Sequence, residues 1–346
     1  MKKRVALIFG GEGRERGISE LSAKNLSALL DREIYETLPI GITELGEWFI
    51  YCGDIDKLSG GEWQKDKTFL KRTHPVYSGF QSDGCIIRVD AAILCMHGDK
   101  GEDGTIAGAL STAHIKYVGE DVYSSAVTQD KAYTKCIAKS LGIPTAKWLL
   151  STGEAVSFAK RRAEALLSYP MFLKPARLGS SYGAHPIMNA SEFAAAFTDA
   201  KSFDERIIIE ERIDVAFEAE CAFFSDGEER RFSVGRIDSG GAFYDFDAKY
   251  NGANSLTINN SLDSEEMRKE ITEYSARLAE YVGLSHIGRI DFLVDKGRRV
   301  FFNEINAFPG MTKTSLYPLL TEAMGFSEGE FIGRLIESVC RNDWRV

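Results

Sequence analysis

A loop rich in glycine and serine follows a short apolar segment and a lysine, and it has the sequence KPARLGSSYG at 174–183. The apolar segment predicts a strand, so Lys174 stands at the strand end. Such a loop can turn successive backbone N–H groups inward and form a concave site for phosphate oxygens. Ser180 and Ser181 add hydroxyl donors, whereas the absence of a terminal GK[ST] excludes a Walker A motif. Phosphate binding and an ordinary surface turn both stay open on this loop alone.

A second cluster combines carboxylates with a guanidinium and an amide. Asp291 follows Arg289 by two residues, and Asn306 follows Glu304 by two. Both stretches have the pattern of strands joined by a short turn at 296–297, which predicts a hairpin with Asp291 and Glu304 close together. Period-two alternation places Glu304 and Asn306 on one face. Carboxylate and amide oxygens are hard ligands that suit Mg²⁺ bound together with substrate phosphates.

A bound metal would also offset the repulsion between the two carboxylates of this hairpin. Two neighbouring carboxylates with no cation between them would raise the pKa of one of them. The alternative is a solvated strand face, with Phe292 and Phe301 packed into a core on the other side. Periodicity alone does not decide between a metal site and that alternative.

Two glycine-rich loops follow predicted strands in the N-terminal part. The sequence HGDKGEDG at 97–104 follows a buried strand, and ligands of open α/β sheets bind beyond the carboxyl ends of strands. The sequence GGEGRERGIS at 10–19 follows the first strand. It fails the dinucleotide pattern GxGxxG because Arg16 stands where the third glycine belongs, so a hydride-transfer enzyme is poorly supported.

The elements that carry these residues fall into an α/β part and a later α+β part. Continuous apolar runs at 5–9 and 91–96 predict parallel strands buried on both faces, alternating with helices in a doubly wound domain. One helix is predicted over 125–141. Strands near 148–150, 171–173 and 207–209 follow, then antiparallel strands and a long helix over 263–282.

Composition excludes several classes of protein. The chain has 346 residues, of which 44% are hydrophobic and 27% charged, and its formal net charge is −9. An acidic chain of this kind is a poor candidate for nucleic-acid or anionic-membrane partners. No run reaches the ~20 apolar residues of a membrane span. The six cysteines form no CxxC pair, which favours free thiols and a cytoplasmic location.

Four segments, taken together and in order, resemble the D-alanine–D-alanine ligases of the ATP-grasp superfamily. They are HGDKGEDG at 97–104, KPARLGSSYG at 174–183, FYDFDAKY at 243–250, and RIDFLVD through NEINAFPGMTKTSLYP at 289–318. The stretch PIGITELGEWFIY at 39–51 is similar to the subgroup that includes D-alanine–D-serine ligases of vancomycin resistance.

This resemblance implies a fold and a reaction. An N-terminal α/β domain over 1–123 would precede a two-lobed ATP-grasp fold, with a central subdomain over 124–215 and a C-terminal subdomain over 216–346. ATP would phosphorylate the carboxylate of one D-alanine, and the amine of a second D-amino acid would displace the phosphate. The product would be a D-dipeptide for peptidoglycan. A cytoplasmic homodimer is also implied.

The resemblance further assigns residues to ATP and metal. Two Mg²⁺ ions, with Mn²⁺ as an alternative, would be held by Asp291, Glu304 and Asn306. Arg289 would stabilise charge on the transferred phosphoryl group, and the backbone N–H of Gly310 would meet the oxyanion. The residues that would contact ATP are Lys131 and Lys174 with Ser180 and Ser181 at the phosphates, Glu210 at the adenine, Glu218 at the ribose, and Lys249.

The remaining assignments concern the amino-acid substrates. Glu15 would orient the ammonium of the first D-alanine, with His97 nearby. Ser180 and Tyr250 would join Glu15 in a hydrogen-bond network that ties the segment 239–261 over the site and excludes water. Ser315 would receive the carboxylate of the second substrate, and Leu316 would line its pocket.

Departures from the family pattern lie at the first-substrate end. Gly13 and Arg16 replace a serine and a histidine that usually flank the position of Glu15, and Arg14 adds a further cation. Tyr250 favours an amine nucleophile, and Leu316 resembles the D-alanine type. A D-alanine–D-alanine ligase is therefore the leading hypothesis, ahead of a D-alanine–D-serine ligase or other carboxylate–amine ligase, and of a catalytically silent nucleotide-binding regulator.

Overall fold

The computed structural model of the chain describes residues 2–237, 258–259, 262, 264–310 and 316–341. Its N-terminal part is a six-stranded sheet with the strand order β4-β3-β2-β1-β8-β9, beside a three-stranded sheet of β5, β6 and β7. The strands are β1 (Lys3–Gly10), β2 (Tyr35–Ile42), β3 (Trp48–Tyr51), β4 (Leu70–Arg72), β5 (His74–Val76), β6 (Gly79–Ser82), β7 (Cys85–Arg88), β8 (Ala91–Leu94) and β9 (Tyr117–Val118). The helices here are α1 (Arg16–Leu29), α2 (Glu62–Lys65) and α3 (Thr105–Thr112).

The central strand β1 explains the apolar run at the start of the chain. It pairs in parallel with β2 on one side and with β8 on the other. Val5, Leu7 and Phe9 belong to one hydrophobic core, whereas Ala6 and Ile8 belong to a second core on the opposite face. A strand that is buried on both faces has no polar alternation, as the sequence predicts.

The helix predicted over 125–141 is wrong as a single element. The structure has α4 (Val122–Gln129) and α5 (Lys131–Ser140), separated at Asp130. Asp130 has an extended backbone, and its carboxylate accepts a hydrogen bond from the N–H of Ala132 over 2.8 Å. An aspartate that caps a new helix in this way competes with continuation of the old one. The break makes Lys131 the first residue of α5.

The central part is a four-stranded antiparallel sheet with the order β10-β13-β11-β12. Two helices pack on it, and residues of both share one apolar core with the strands. The elements are β10 (Trp148–Thr152), α6 (Val156–Leu166), β11 (Met171–Pro175), β12 (His185–Ile187), α7 (Phe193–Lys201) and β13 (Arg206–Glu211). Strand β11 ends at the loop that carries the phosphate-binding prediction.

The last part is a five-stranded antiparallel sheet with the order β16-β15-β14-β17-β18. Its elements are β14 (Val215–Ser225), β15 (Arg230–Ile237), β16 (Ile258–Asn259), α8 (Glu265–Val282), β17 (Ile287–Asp295), β18 (Val300–Asn306), α9 (Leu316–Ala323) and α10 (Glu328–Arg341). The predicted hairpin is the pair β17–β18. Within the described ranges, no helix combines the length and apolar content that crossing a membrane requires.

Candidate active site

The hairpin of β17 and β18 carries the residues with predicted metal and phosphoryl roles. Asp291 lies opposite Glu304, and Arg289 lies opposite Asn306. The Asn306 amide donates a hydrogen bond from Nδ2 to Asp291 Oδ2 over 3.0 Å. The side chains of Asp291 and Glu304 are only 12% and 18% exposed. The predicted closeness of the two acids is confirmed.

A β-bulge changes what lies behind these acids. The register shifts after Asp291, so that Phe292 pairs with Phe302 and passes over Asn303. Phe302 is therefore in the core and Phe301 is only partly buried, so the alternative of a solvated face is wrong in packing Phe301 into the core. The side chain of Asn303 accepts a hydrogen bond at Oδ1 from Lys174 Nζ over 2.8 Å. The bulge thus joins the hairpin to the central sheet.

Cations from the same region neutralise the two acids. Arg289 donates to both oxygens of Asp291, with Nε to Oδ1 at 2.8 Å and Nη2 to Oδ2 at 2.7 Å. It also lies 3.2 Å from a carboxylate oxygen of Glu220. Burial opposes its charge, but Asp291 and Glu220 outweigh burial and raise the pKa of Arg289. Lys131 Nζ lies 3.1 Å from Glu304 Oε2.

A buried group of charges stands behind Lys174. Glu210 lies with one carboxylate oxygen 2.9 Å from Lys174 Nζ and the other 2.9 Å from Lys135 Nζ. Burial raises the pKa of Glu210, but the two lysines outweigh it and lower that pKa to about 2. Burial lowers the pKa of Lys135, whose side chain is 1% exposed. Glu210 therefore forms ion pairs with both lysines, which offset the cost of burying its charge.

The two glutamates predicted for the nucleotide lie in different sheets. Glu210 is in β13 of the central sheet and is 3% exposed. Its two oxygens lie next to lysines, and its assignment to the adenine amino group stays a prediction. Glu218 is in β14, between Ile237 of β15 and Leu293 of β17. The ribose assignment of Glu218 stays a prediction.

Glu15 lies at the junction of three loops. It immediately precedes α1, and its carboxylate accepts a hydrogen bond at Oε1 from the Ser180 hydroxyl. Its other oxygen, Oε2, is buried without a hydrogen-bond partner among the residues that the structure describes. Burial, and then the charge of Glu102, raise the pKa of Glu15, whereas the Ser180 hydrogen bond lowers it. Gly98 has a φ of 69°, and any Cβ there would collide with Glu15 Oε2.

His97, which closely follows β8, lies next to this junction. It is 7% exposed, and its Nε2 lies 3.0 Å from the Ser22 hydroxyl. The ring of Phe308 lies with its centroid 5.7 Å from that of His97. Since Phe308 closely follows β18, this contact connects the N-terminal loop at 97–104 with the segment that leads to Gly310.

The serine loop, defined here as residues 178–183, has an unusual backbone. Ser180 and Ser181 have φ angles of 51° and 58°, in the left-handed region that residues with a Cβ seldom adopt. The carbonyl of Leu178 accepts a hydrogen bond from Lys131 Nζ over 2.8 Å. The loop therefore touches both the phosphate-binding lysine candidate and, through Ser180, the carboxylate of Glu15.

Several residues with predicted roles lie outside the described segments or at their limits. Lys249, Tyr250 and Ser315 lie outside the described residues. Gly310 is the last described residue before the segment 311–315, and Leu316 is the first residue of α9 and is 5% exposed. Their roles stay predictions.

Family models divide the sequence into two matched ranges. The model described as "D-ala D-ala ligase N-terminus" matches residues 4–120, and the model described as "D-ala D-ala ligase C-terminus" matches residues 137–337. The chain belongs to the D-alanine–D-alanine ligase family. The expected resemblance is thereby confirmed over both parts of the chain.

Individual relatives agree with this membership. The D-alanine–D-alanine ligase of Clostridium novyi (strain NT) is 36% identical over 348 residues, which are 99% of each chain. Among solved structures, VanG D-Ala:D-Ser ligase from Enterococcus faecalis matches with a TM-score of 0.88 and 32% identity, over 98% of this chain and 100% of that one. The D-alanine–D-alanine ligase from Coxiella burnetii matches with a TM-score of 0.85 and 28% identity, over 98% and 94%.

Family membership confirms the predicted fold class, the enzyme class and the function of a ligase in peptidoglycan synthesis. Enzymes of this family are ATP-dependent ligases with the ATP-grasp fold, and their substrates are D-amino acids. Sequence reasoning missed two residues of the site, Lys135 and Asn303. Lys135 falls four residues after Lys131, on the same face of α5, and that spacing was the available signal. The period-two pattern of a regular strand does not predict the β-bulge, so it gave no sign that Asn303 would contact Lys174.

Proposed function

We propose that the protein joins D-alanine to a second D-alanine at the expense of ATP. The γ-phosphoryl group of ATP is transferred to the carboxylate of the first D-alanine, and ADP leaves. The amine of the second D-alanine attacks the acyl carbon, phosphate departs with the C–O bonding pair, and the amine loses a proton. Because a carboxylate is a poor electrophile, the work of the protein is to position these groups and to stabilise their charge.

The observation that carries the proposal is that a buried, partly unpartnered carboxylate and a group of cations both adjoin the serine loop. Glu15 has a buried oxygen with no hydrogen-bond partner among the described residues, and an ammonium group would satisfy it. The cations are Lys131, Lys174 and Arg289, which suit phosphate oxygens. An amino acid with its ammonium on Glu15 would direct its carboxylate toward these cations. This arrangement matches a substrate that carries both charges.

Asp291, Glu304 and Asn306 would hold the two Mg²⁺ ions, with Mn²⁺ as an alternative. Their oxygens are hard donors, and the two acids are paired with Arg289 and Lys131, so cationic charge already suits this position. Bound Mg²⁺ would neutralise phosphate charge during transfer. Arg289 would then turn from Asp291 toward the phosphoryl group, for which its fixed planar fork is suited.

The wider setting of the reaction is also proposed. The protein would work in the cytoplasm as a homodimer, without a nucleic-acid or membrane partner. It would divide into parts at 1–123, 124–215 and 216–346. Gly310, Ser315 and Leu316 would serve the second substrate, while Ser181, Glu218 and Lys249 would contact ATP and Tyr250 would complete the network of Glu15 and Ser180.

A D-alanine–D-serine ligase is the second candidate. The observation that favours it is the similarity to VanG D-Ala:D-Ser ligase over nearly the whole chain. Steady-state ADP release with D-alanine alone, compared with D-alanine plus D-serine, separates the two. Full activity with D-alanine alone supports the proposal, and activity only with added D-serine supports the second candidate. ATP binding without ADP release for any pair of D-amino acids would indicate a silent regulator.

Glu304→Gln tests the metal assignment. We expect turnover to fall by about 100-fold or more, because the charge stabilisation that a bound metal supplies is worth several kcal/mol. Titration calorimetry of ATP with and without Mg²⁺ should show that the Mg²⁺-dependent part of binding weakens. Glu164→Gln is the matched control, since Glu164 is a partly exposed residue of α6 that pairs with Lys160. Unchanged turnover in Glu304→Gln would refute the metal site.

A further inference from the structure

Arg14, which departs from the family pattern, contacts two residues in the central part of the chain. Arg14 lies between β1 and α1, and its guanidinium carbon is 4.6 Å from the ring centroid of Phe203 and 5.8 Å from that of Tyr182. The two rings lie 6.3 Å apart and are tilted by 31°. A guanidinium at such distances from aromatic faces makes a cation–π contact. Arg14 thus joins the N-terminal glycine loop to two aromatic residues of the ATP-grasp part.

Gly13, which also departs from the family pattern, lets the glycine loop lie close to Asp99. A Cβ at Gly13 would lie 3.3 Å from the carbonyl oxygen of Asp99, closer than ordinary van der Waals contact. Glycine lets the loop settle against Asp99 and so brings Arg14 toward Phe203. The third departure, Arg16, points elsewhere and pairs with Glu44. The two arginines therefore have different partners, aromatic rings for Arg14 and a carboxylate for Arg16.

The serine loop needs such a contact. Ser180 and Ser181 are consecutive residues in the left-handed region, a conformation that persists only when the surroundings hold it. Ser180 is held by Glu15 through its hydroxyl. The base of the loop is held by Arg177, which donates to Asp204 over 2.6 Å. Tyr182, on the far side of the two serines, meets Arg14 and Phe203.

We propose that Arg14 is a positioning residue that clamps the serine loop against Glu15 and so sets the affinity for the first D-alanine. The clamp is the contact of Arg14 with Phe203 and Tyr182. It keeps the Ser180 hydroxyl on Glu15 Oε1, which leaves Oε2 for the substrate ammonium. This inference rests on the proposed function for its substrate, whereas the clamp itself is a property of the folded chain.

A double-mutant cycle on Arg14→Ala and Phe203→Leu tests the clamp. The KM for the first D-alanine, resolved from the two-site dependence of ADP release on D-alanine concentration, should rise about 3- to 10-fold in each single variant, the size of one cation–π contact. The double variant should be no worse than Arg14→Ala alone, because that variant already removes the contacts of Arg14 with both rings. The value of kcat should stay within about 2-fold of the parent, because the clamp acts on the affinity for the first D-alanine before the chemical step.

Arg16→Ala is the matched control, because it removes one positive charge from the same loop and leaves the clamp intact. We expect its KM for D-alanine to equal that of the parent. An equal rise in Arg16→Ala would show that the effect is one of loop charge and would overturn the clamp. Additive effects in the double variant, or an unchanged KM in Arg14→Ala, would also overturn it. Phe203→Tyr keeps an aromatic face and should restore the parent KM.

Amide hydrogen exchange separates the clamp from the proposed function. Peptides that cover residues 177–183 should exchange faster in Arg14→Ala and Phe203→Leu than in the parent, with no change in Arg16→Ala. This measurement needs no substrate, so it reports on the clamp even if D-alanine proves not to be the substrate. Exchange that is unchanged in both clamp variants would overturn the inference, whereas absent ADP release in the parent would overturn only the proposed function.

Discussion

At the scale of single residues, the site neutralises its charges in pairs. Arg289 faces Asp291, Lys131 faces Glu304, and Glu210 lies between Lys174 and Lys135. Unpaired charges in such a buried place would carry a large desolvation cost. Binding of ATP with its metal therefore has to exchange partners rather than fill a bare pocket. Glu15 has one oxygen on the Ser180 hydroxyl, whereas its other oxygen is buried without a hydrogen-bond partner among the described residues.

Ser180→Ala should move the acid limb of the pH profile upward. Burial and the charge of Glu102 already raise the pKa of Glu15, and the Ser180 hydrogen bond is what lowers it. Glu15 must be ionised to bind an ammonium, so its loss of charge on acidification weakens substrate binding. Without the hydroxyl, the pKa of Glu15 rises further and kcat/KM for D-alanine falls off at a higher pH than in the parent.

The profile of kcat/KM against pH checks this prediction. Ser78→Ala is the control, since Ser78 also has a positive φ, of 54°, but lies in the turn between β5 and β6. Its profile should match that of the parent. An acid limb that stays in place or moves to lower pH in Ser180→Ala would contradict the assigned role of Glu15.

At the scale of elements, one buried carboxylate connects the N-terminal sheet to the C-terminal sheet. Glu120, which closely follows β9, accepts hydrogen bonds at Oε1 from the N–H groups of His286 and Ile287, at 2.8 and 3.1 Å. Its Oε2 accepts from the N–H and the hydroxyl of Ser285, each at 2.8 Å. One carboxylate therefore joins the end of the N-terminal sheet to the start of β17, the strand that carries Arg289 and Asp291.

Glu120→Gln should weaken this joint. An amide can accept at one end only, and its NH₂ group would face the donors of Ser285. We expect the free energy of unfolding to fall by about 2–4 kcal/mol, since each buried donor left unpaired costs about 1–3 kcal/mol. Urea denaturation measures this change. Glu36→Gln is the control, because Glu36 forms an exposed pair with Arg4 whose loss should cost less than about 1 kcal/mol. Equal losses in both variants would refute the joint.

At the scale of the whole molecule, the end of the chain completes the core at its beginning. Leu335 and Ile336 of α10 share one hydrophobic core with Val5, Leu7 and Phe9 of β1. Tyr35 adds a hydrogen bond from its hydroxyl to Glu337 over 3.2 Å. The C-terminal helix therefore covers one face of the N-terminal sheet, and the two ends of the chain are expected to unfold together.

Leu335→Ala should destabilise the N-terminal sheet although it lies at the other end of the sequence. Leu335 is fully buried, and a cavity of this kind costs about 2–5 kcal/mol. Urea denaturation should show the loss, and hydrogen exchange should show reduced protection of β1. Leu45→Ala, at a leucine that is 85% exposed, should change neither. Protection of β1 that survives in Leu335→Ala would mean that α10 is not part of that core.

Much of the fold could be predicted because its signals are local. The apolar run of β1, the alternation in β17 and β18, and the glycine loops at strand ends each follow from a few neighbouring residues. Asp291 and Glu304 were expected together because one short turn joins their strands. The split of the helix at Asp130 was not expected, because alanine and lysine around it favour a helix and only the capping hydrogen bonds reveal the break.

The sequence by itself determined the chemistry of the site: which acids, cations and hydroxyls the protein has, and on which strands and loops they stand. The tertiary structure alone decided which of them meet. The resemblance assigns Glu210 to the nucleotide, and packing places its carboxylate between Lys174 and Lys135. In the sequence, Arg14 is only a departure from the family pattern. The fold places it against Phe203, which is 189 residues away along the chain. The physical reason is that residue type and spacing are local properties, whereas partners of buried charges and rings depend on how distant elements pack.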